Sequence, residues 1–229
     1  MALVFLEIIA LDAADARAAQ DGGADRVELV SDMGAGGLSP DPATVESVLR
    51  AVSIPVRVML RTRPDFAATD DLVKTLHELR EAGAAEFVLG FLDAAGRVDR
   101  PALDALLDGY PWTFHRALDA AADRAAAWDG LAGLPGLTSV LTAGSPDGMG
   151  EGLPNLLADA PVHGQLMLAG GGLRESYLPA LTAAGIRAFH SGSAVRPGGS
   201  WTSPVSADLV RRLRYALGPA TPSRFPSGS

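Results

Sequence analysis

The stretch DAADARAAQDGGADRVELV, Asp12–Val30, decides how the chain folds. Asp12–Gln20 is alanine-rich with spaced charges, which predicts an amphipathic helix. Gly22-Gly23 stops it, because a glycine just past a helix takes the left-handed conformation where a side chain would clash. Arg26–Val30 then has the short, branched, apolar character of a strand. Upstream, Leu3–Ile9 is apolar apart from Glu7 and reads as a first strand. Strand, helix, glycine and strand make one parallel βαβ unit.

The unit recurs to the end of the chain. Further strands are predicted at Val56–Arg61, Glu86–Gly90, Trp112–Arg116, Ser139–Thr142, Gln165–Ala169 and Arg187–Ser191. Helical stretches between them include Pro42–Ala51, Asp70–Ala82 and Glu175–Ala184. Strands two, four, six and eight follow Gly23, Gly83, Gly136 and Gly185. Strands three, five and seven open with Pro55, Pro111 and Pro161, where a first strand residue can forgo its ladder donor. Eight strands in this rhythm predict an α/β fold, a single-domain TIM (β/α)8 barrel with a closed parallel sheet, over residues 1–217. An open doubly wound sheet is the other arrangement the pattern allows. Residues 218–229, rich in Pro, Gly and Ser, are expected to be a flexible tail.

Composition excludes several functions. The 229 residues include no cysteine, so disulfides, thiolate metal sites and cysteine nucleophiles are out. Lys74 is the single lysine and falls in a helical stretch, which removes a Schiff-base lysine at a strand end. A net charge of −8 without a basic cluster argues against nucleic acid as a partner. No apolar run reaches the length of a membrane helix, and Leu3–Ile9 lacks the flanks of a signal peptide. A cytoplasmic location is the expectation.

In such a barrel the functional face is built from strand C-termini and the loops after them. Glu7 is expected to close strand one and Glu28 to lie near the end of strand two. Arg61 ends strand three, His115 and Arg116 strand five, Thr142 strand six, and His190 and Ser191 strand eight. Closure sets strand eight beside strand one, so His190, Glu7, Glu28 and Arg61 should form an arc, with His115 opposite. A buried carboxylate costs several kcal/mol unless it is paired or binds something. The arc is therefore either a structural network, with Arg61 on Glu28 and His190 on Glu7, or a ligand site. Gly170-Gly171-Gly172 after strand seven and Ser191-Gly192-Ser193 after strand eight have the make-up of a phosphate cradle. Gly34–Gly37 would wall the mouth. His77 and His163 are expected at the surface, and Met59 and Met167 in the core.

These strand ends resemble the CutC family of copper-homeostasis proteins. The likeness runs from Leu6 to Trp201 and includes Leu6-Glu7-Ile8, Gly23–Leu29, Gly36–Pro40, Ile54–Val56, Thr113–Asp119, Val140–Gly144, Ala169–Gly172 and His190–Ser193. It implies a TIM barrel, a cytoplasmic protein and copper-ion binding. Two places depart from the family pattern. Where a Cys often ends strand two, this chain has Val30-Ser31. After strand three it reads Arg61-Thr62-Arg63-Pro64-Asp65-Phe66, without the family's paired glycines. Soft Cu(I) wants thiolate or thioether donors, so an imidazole–carboxylate set here would suit Cu(II) or Zn(II) better.

Three functions follow as expectations. A metal-binding protein would use His190, Glu7 and Glu28, with His115 as a fourth ligand. An enzyme of isomerase, lyase or hydrolase type would act on a small anionic or phosphorylated metabolite. Gly170, Gly171, Gly172, Ser191, Ser193 and Thr142 would hold that ligand, with charge from Arg61 and Arg116, while Glu7, Glu28, His115 and His190 handle protons. A scaffold would self-associate as a homo-oligomer through its outer helices.

Overall fold

The computed structural model describes residues 4–107 and 109–218. The expected tail falls almost wholly outside them. The elements run β1 (Phe5–Ala10), α1 (Ala13–Asp21), β2 (Arg26–Leu29), α2 (Pro42–Ala51), β3 (Val56–Met59) and α3 (Leu72–Glu81). They continue with β4 (Phe87–Leu89), α4 (Arg100–Leu106), β5 (Trp112–Phe114), α5 (Ala117–Ala120), α6 (Arg124–Leu131) and β6 (Leu137–Thr142). The chain finishes with α7 (Met149–His163), β7 (Met167–Ala169), α8 (Leu178–Ala183), β8 (Ala188–Ser191) and α9 (Ala207–Leu217).

The sheet closes, so the doubly wound alternative falls. Each strand pairs in parallel with its sequence neighbours, and β8 pairs with β1 through Leu6↔Phe189, Glu7↔His190 and Ile8↔Ser191. Aspartates start the helices as side-chain caps: Asp12, Asp41, Asp99 and Asp123 accept from Asp15, Thr44, Ala102 and Ala126 N–H. Each such cap contributes about 1 kcal/mol. Gly23, Gly83, Gly136 and Gly185 all have positive φ, as the turn entries to β2, β4, β6 and β8 require.

The proline entries hold for β3 and β5 but not for β7. Pro161 lies inside the last turns of α7, which runs on to His163, and the chain reaches β7 through a turn after Gly164. A proline near a helix C-terminus sacrifices one backbone bond without ending the helix, and Pro161 is exposed. His163 is half-buried and not simply at the surface: its ring stacks on Trp128 at 4.2 Å between centroids. His77 and Lys74 are exposed on α3.

Successive strand residues face opposite sides of the sheet. One set (Leu6, Ile8, Val27, Leu29, Val58, Phe87, Phe114, Phe189) joins the large core under the helices. The other set faces the barrel interior. Its upper part includes one small apolar cluster of Ile9, Val30, Met59 and Val88. Beneath that lies a charged layer: Glu7, Arg26 and Arg57 are all buried. Arg57 turns toward the strand starts, donating to Glu86 at 2.9 Å, Thr113 at 2.5 Å and Thr138 at 2.6 Å. Burial and the nearby Arg26 charge bring its pKa down to about 10.

Candidate functional site at the barrel mouth

Three titratable side chains meet inside the barrel at β1, β2 and β8. Register puts Glu7 level with both Arg26 and His190, and Ile9 level with Glu28. Glu7 is thus a mid-strand residue one pleat below the mouth, not the residue closing β1. Arg26 Nε donates to Glu7 Oε2, and His190 Nδ1 meets Glu7 Oε1 at 2.8 Å. His190 Nε2 lies 3.5 Å from Glu28 Oε2.

The environment drives the two carboxylates apart. Burial alone would raise Glu7, but Arg26 and the hydrogen bond and charge of His190 hold its pKa down at about 2. For Glu28 the balance goes the other way. Burial outweighs the attraction of His190, Glu7 adds repulsion, and its pKa rises to about 7. Burial would lower His190, yet Glu28 and Glu7 together raise it. An ionised Glu7 accepts from Nδ1–H, which leaves Nε2 as the atom that faces Glu28.

Above this group the strand ends enclose a cavity of about 490 Å³. Glu28, His115, Arg116, His190, Ser191 and Ser193 line its polar side, and Phe66, Met33, Met59 and Trp201 its apolar side. Three buried polar atoms in this lining have no hydrogen-bond partner among the described residues: Glu28 Oε1, His115 Nε2 and Ser191 Oγ. Gly171, Gly172 and Ser193 also line it, and among the described residues nothing accepts from their N–H groups. Gly171 has φ +80° and sits under a guanidinium: an added Cβ would lie 2.9 Å from Arg116 Nε.

Several expected site residues do other work. Arg61 lines the cavity, as expected, but does not neutralise Glu28. It donates to the carbonyls of Gly36 at 3.0 Å, Gly37 at 3.1 Å and Pro64, which pins the glycine wall at Gly34–Gly37. Thr142 and Gly170 are not part of the lining. Thr142 Oγ1 donates to Asp119 at 2.6 Å. Gly170 makes room for His190, whose Cβ would be 2.8 Å from a Cβ added there. Met59 is buried as expected but also lines the cavity, whereas Met167 belongs to the main core.

Asp119 is the residue that strand-end logic overlooked. Its carboxylate accepts from Arg116 at 3.0 Å, Arg124 at 3.1 Å, Thr142, and the amides of Ala143 at 2.8 Å and Gly144 at 3.1 Å. It sits in α5, five residues beyond β5, and fixes both Arg116 and the loop after β6. Arg26, the partner of Glu7, was overlooked too, although its place two residues before Glu28 on the same face of β2 is a signal that would have found it. Trp201 packs on Gly192, where an added Cβ would fall 2.3 Å from its ring, and no local motif announces it.

Donor atoms of Glu7, Glu28 and His190 all lie within 4.8 Å of one another; His115 is outside this group. The set contains oxygen and imidazole nitrogen but no sulfur, so it does not fit soft Cu(I). Cu(II) or Zn(II) would suit the donors better; Glu28 and His190 Nε2 would hold such an ion, and Glu7 would orient the imidazole from behind. Both Glu7 oxygens are already engaged by Arg26 and His190.

The comparisons with known proteins agree on one family. The CutC family profile matches residues 4–195. The family protein CutC of Klebsiella pneumoniae strain 342 is 32% identical over 94% of this chain and 93% of its own. That of Xanthomonas campestris pv. campestris strain B100 is 35% identical over 81% and 82%. A crystal structure of CutC from Streptococcus agalactiae, whose name proposes a part in copper homeostasis, superposes with a TM-score of 0.74. At 24% identity, over 83% of this chain and 98% of that one, it bears on the fold alone. No helix among the described residues is long and apolar enough to cross a membrane. With a closed eight-stranded barrel, the strand-end motifs and these matches in hand, the chain belongs to the CutC family.

Proposed function

We propose that the cavity binds a small, oxygen-rich anionic metabolite, and that Glu28 and His190 move a proton on it. The observation that carries this is the set of three unpartnered buried atoms, Glu28 Oε1, His115 Nε2 and Ser191 Oγ, on residues that line one cavity. An unsatisfied buried polar atom costs about 1–3 kcal/mol, so three around one cavity are a standing expense that a bound ligand would offset. A volume of about 490 Å³ suits a metabolite better than a lone ion. The Gly171, Gly172 and Ser193 amides and the partly exposed Arg116 favour an anionic group. A carboxyl that holds its proton near neutrality beside an imidazole suits acid–base chemistry of isomerase, lyase or hydrolase type.

A screen of inorganic phosphate and phosphorylated metabolites by thermal shift, followed by calorimetry, tests this. A ligand should stabilise the wild type, and Glu28→Gln and Arg116→Met should each weaken it tenfold or more. Equal affinity in both variants would place the ligand elsewhere.

A second reading, a metal centre in keeping with the copper-homeostasis name, is favoured by the proximity of the Glu7, Glu28 and His190 donors. Titration with Cu(II) and Zn(II) distinguishes it: stoichiometric binding abolished in His190→Ala supports the metal, and binding indifferent to that change removes it.

A further inference from the structure

His115 has its hydrogen placed by the backbone. β5 ends at Phe114 and α5 begins at Ala117, whose N–H belongs to the unsatisfied donors of a helix start. His115 Nδ1 accepts that N–H at 3.2 Å. A ring nitrogen that accepts carries no hydrogen, so the neutral imidazole bears it on Nε2. That Nε2 is buried and meets no acceptor among the described residues.

The ring is also held in place. A Cβ on Gly90 would lie 2.7 Å from Nδ1 and 2.9 Å from Cε1, so glycine at the end of β4 leaves just enough room. Phe66 and Phe114 flank it, with ring centroids 5.3 Å and 6.1 Å away. Flipping it would break the Ala117 bond. Burial, then the charges of Arg61 and Arg116, lowers its pKa to about 3, consistent with a ring that stays uncharged.

Building on the small-molecule assignment above, we infer that His115 is a fixed, uncharged hydrogen-bond donor that recognises a carbonyl or carboxylate oxygen of the ligand. The ligand class is then oxo compounds and carboxylic acids, not amines or hydrocarbons. The assignment also takes His115 out of the base and metal-ligand roles. An Nε2–H offers no lone pair to an ion, and the other tautomer would set Nδ1–H against the Ala117 N–H.

Nitrogen NMR on the full chain labelled with ¹⁵N-histidine reads the tautomer directly. His115 should be the Nε2–H form at neutral pH and should remain uncharged as the solution is acidified to about pH 5, where an ordinary histidine is protonated. Pyruvate, which carries oxo and carboxylate oxygens, should shift the His115 Nε2–H resonance; isopropylamine, a cation of similar size, should not. His115→Phe should weaken pyruvate binding about tenfold, whereas His115→Gln, which keeps an N–H donor, should retain most of it. Gly90→Ala, which displaces the ring without altering its chemistry, should resemble His115→Phe. An Nδ1–H tautomer, or wild-type pyruvate affinity in His115→Phe, would overturn the inference. Pyruvate bound in the cavity but indifferent to His115 removes this inference alone. A cavity that admits neither pyruvate nor any phosphorylated probe removes the small-molecule reading as well.

Discussion

Arg26→Met is expected to cost the barrel about 3–5 kcal/mol, because it strips a fully buried carboxylate of its cation. Glu7 has no exposed surface, and Arg26 supports the ionised form more than any other neighbour does. Without it, Glu7 must either stay charged in a low-dielectric interior or take up a proton and surrender its hold on His190. In a chain of this size the loss corresponds to a fall in Tm of roughly 6–20 °C. Denaturant unfolding of the variant measures it. Pairing the substitution with Glu7→Gln should recover much of the loss, since a neutral amide is far cheaper to bury than a lone charge. An Arg26→Met protein as stable as the wild type would mean that Glu7 is not held as a carboxylate.

Asp119→Ala should be comparably severe, by about 3–5 kcal/mol, and for a different reason. The carboxylate satisfies five donors at once: two guanidiniums, one hydroxyl and two amides. Its removal leaves the amide of Ala143 buried without an acceptor and that of Gly144 with Thr142 Oγ1 alone, at 3.0 Å, and leaves Arg116 held only by the carbonyls of Ser145 and Pro146. Hydrogen exchange should therefore quicken locally at 142–145, before any global loss of protection. Asp119→Asn keeps one oxygen acceptor and should fall between the two proteins. Unchanged protection at Ala143 and Gly144 in Asp119→Ala would show that the loop after β6 is held by something else.

The barrel could be read from local punctuation because each unit repeats the same local physics. Gly23, Gly83, Gly136 and Gly185 all have positive φ; three of them follow a helix end closely, and Gly136 lies in the turn directly before β6. Pro161 misled, since a proline near a helix end loses one bond and the helix absorbs it. Strand ends also picked out most of the site: Glu28, His115, Arg116, His190, Ser191 and Ser193 do share one cavity. What could not be read was depth. β1 extends to Ala10, so Glu7 drops one pleat below the mouth and becomes the partner of Arg26. Side-chain direction was hidden too. Arg61 reaches the rim, as its place after β3 suggests, but its guanidinium is spent on loop carbonyls. Thr142 is claimed by Asp119, a helix residue that no strand-end rule selects.

Ligand binding at the barrel mouth rests, as proposed, on a cavity lining that keeps polar atoms for a ligand to satisfy. Crystals of the full chain soaked in turn with glycerol, formate and inorganic phosphate, and solved at atomic resolution, test it most directly. Ordered probe oxygens should lie within hydrogen-bonding distance of Glu28 Oε1, His115 Nε2 and Ser191 Oγ. A dry cavity in every soak, with those three atoms sealed behind apolar side chains, would contradict it.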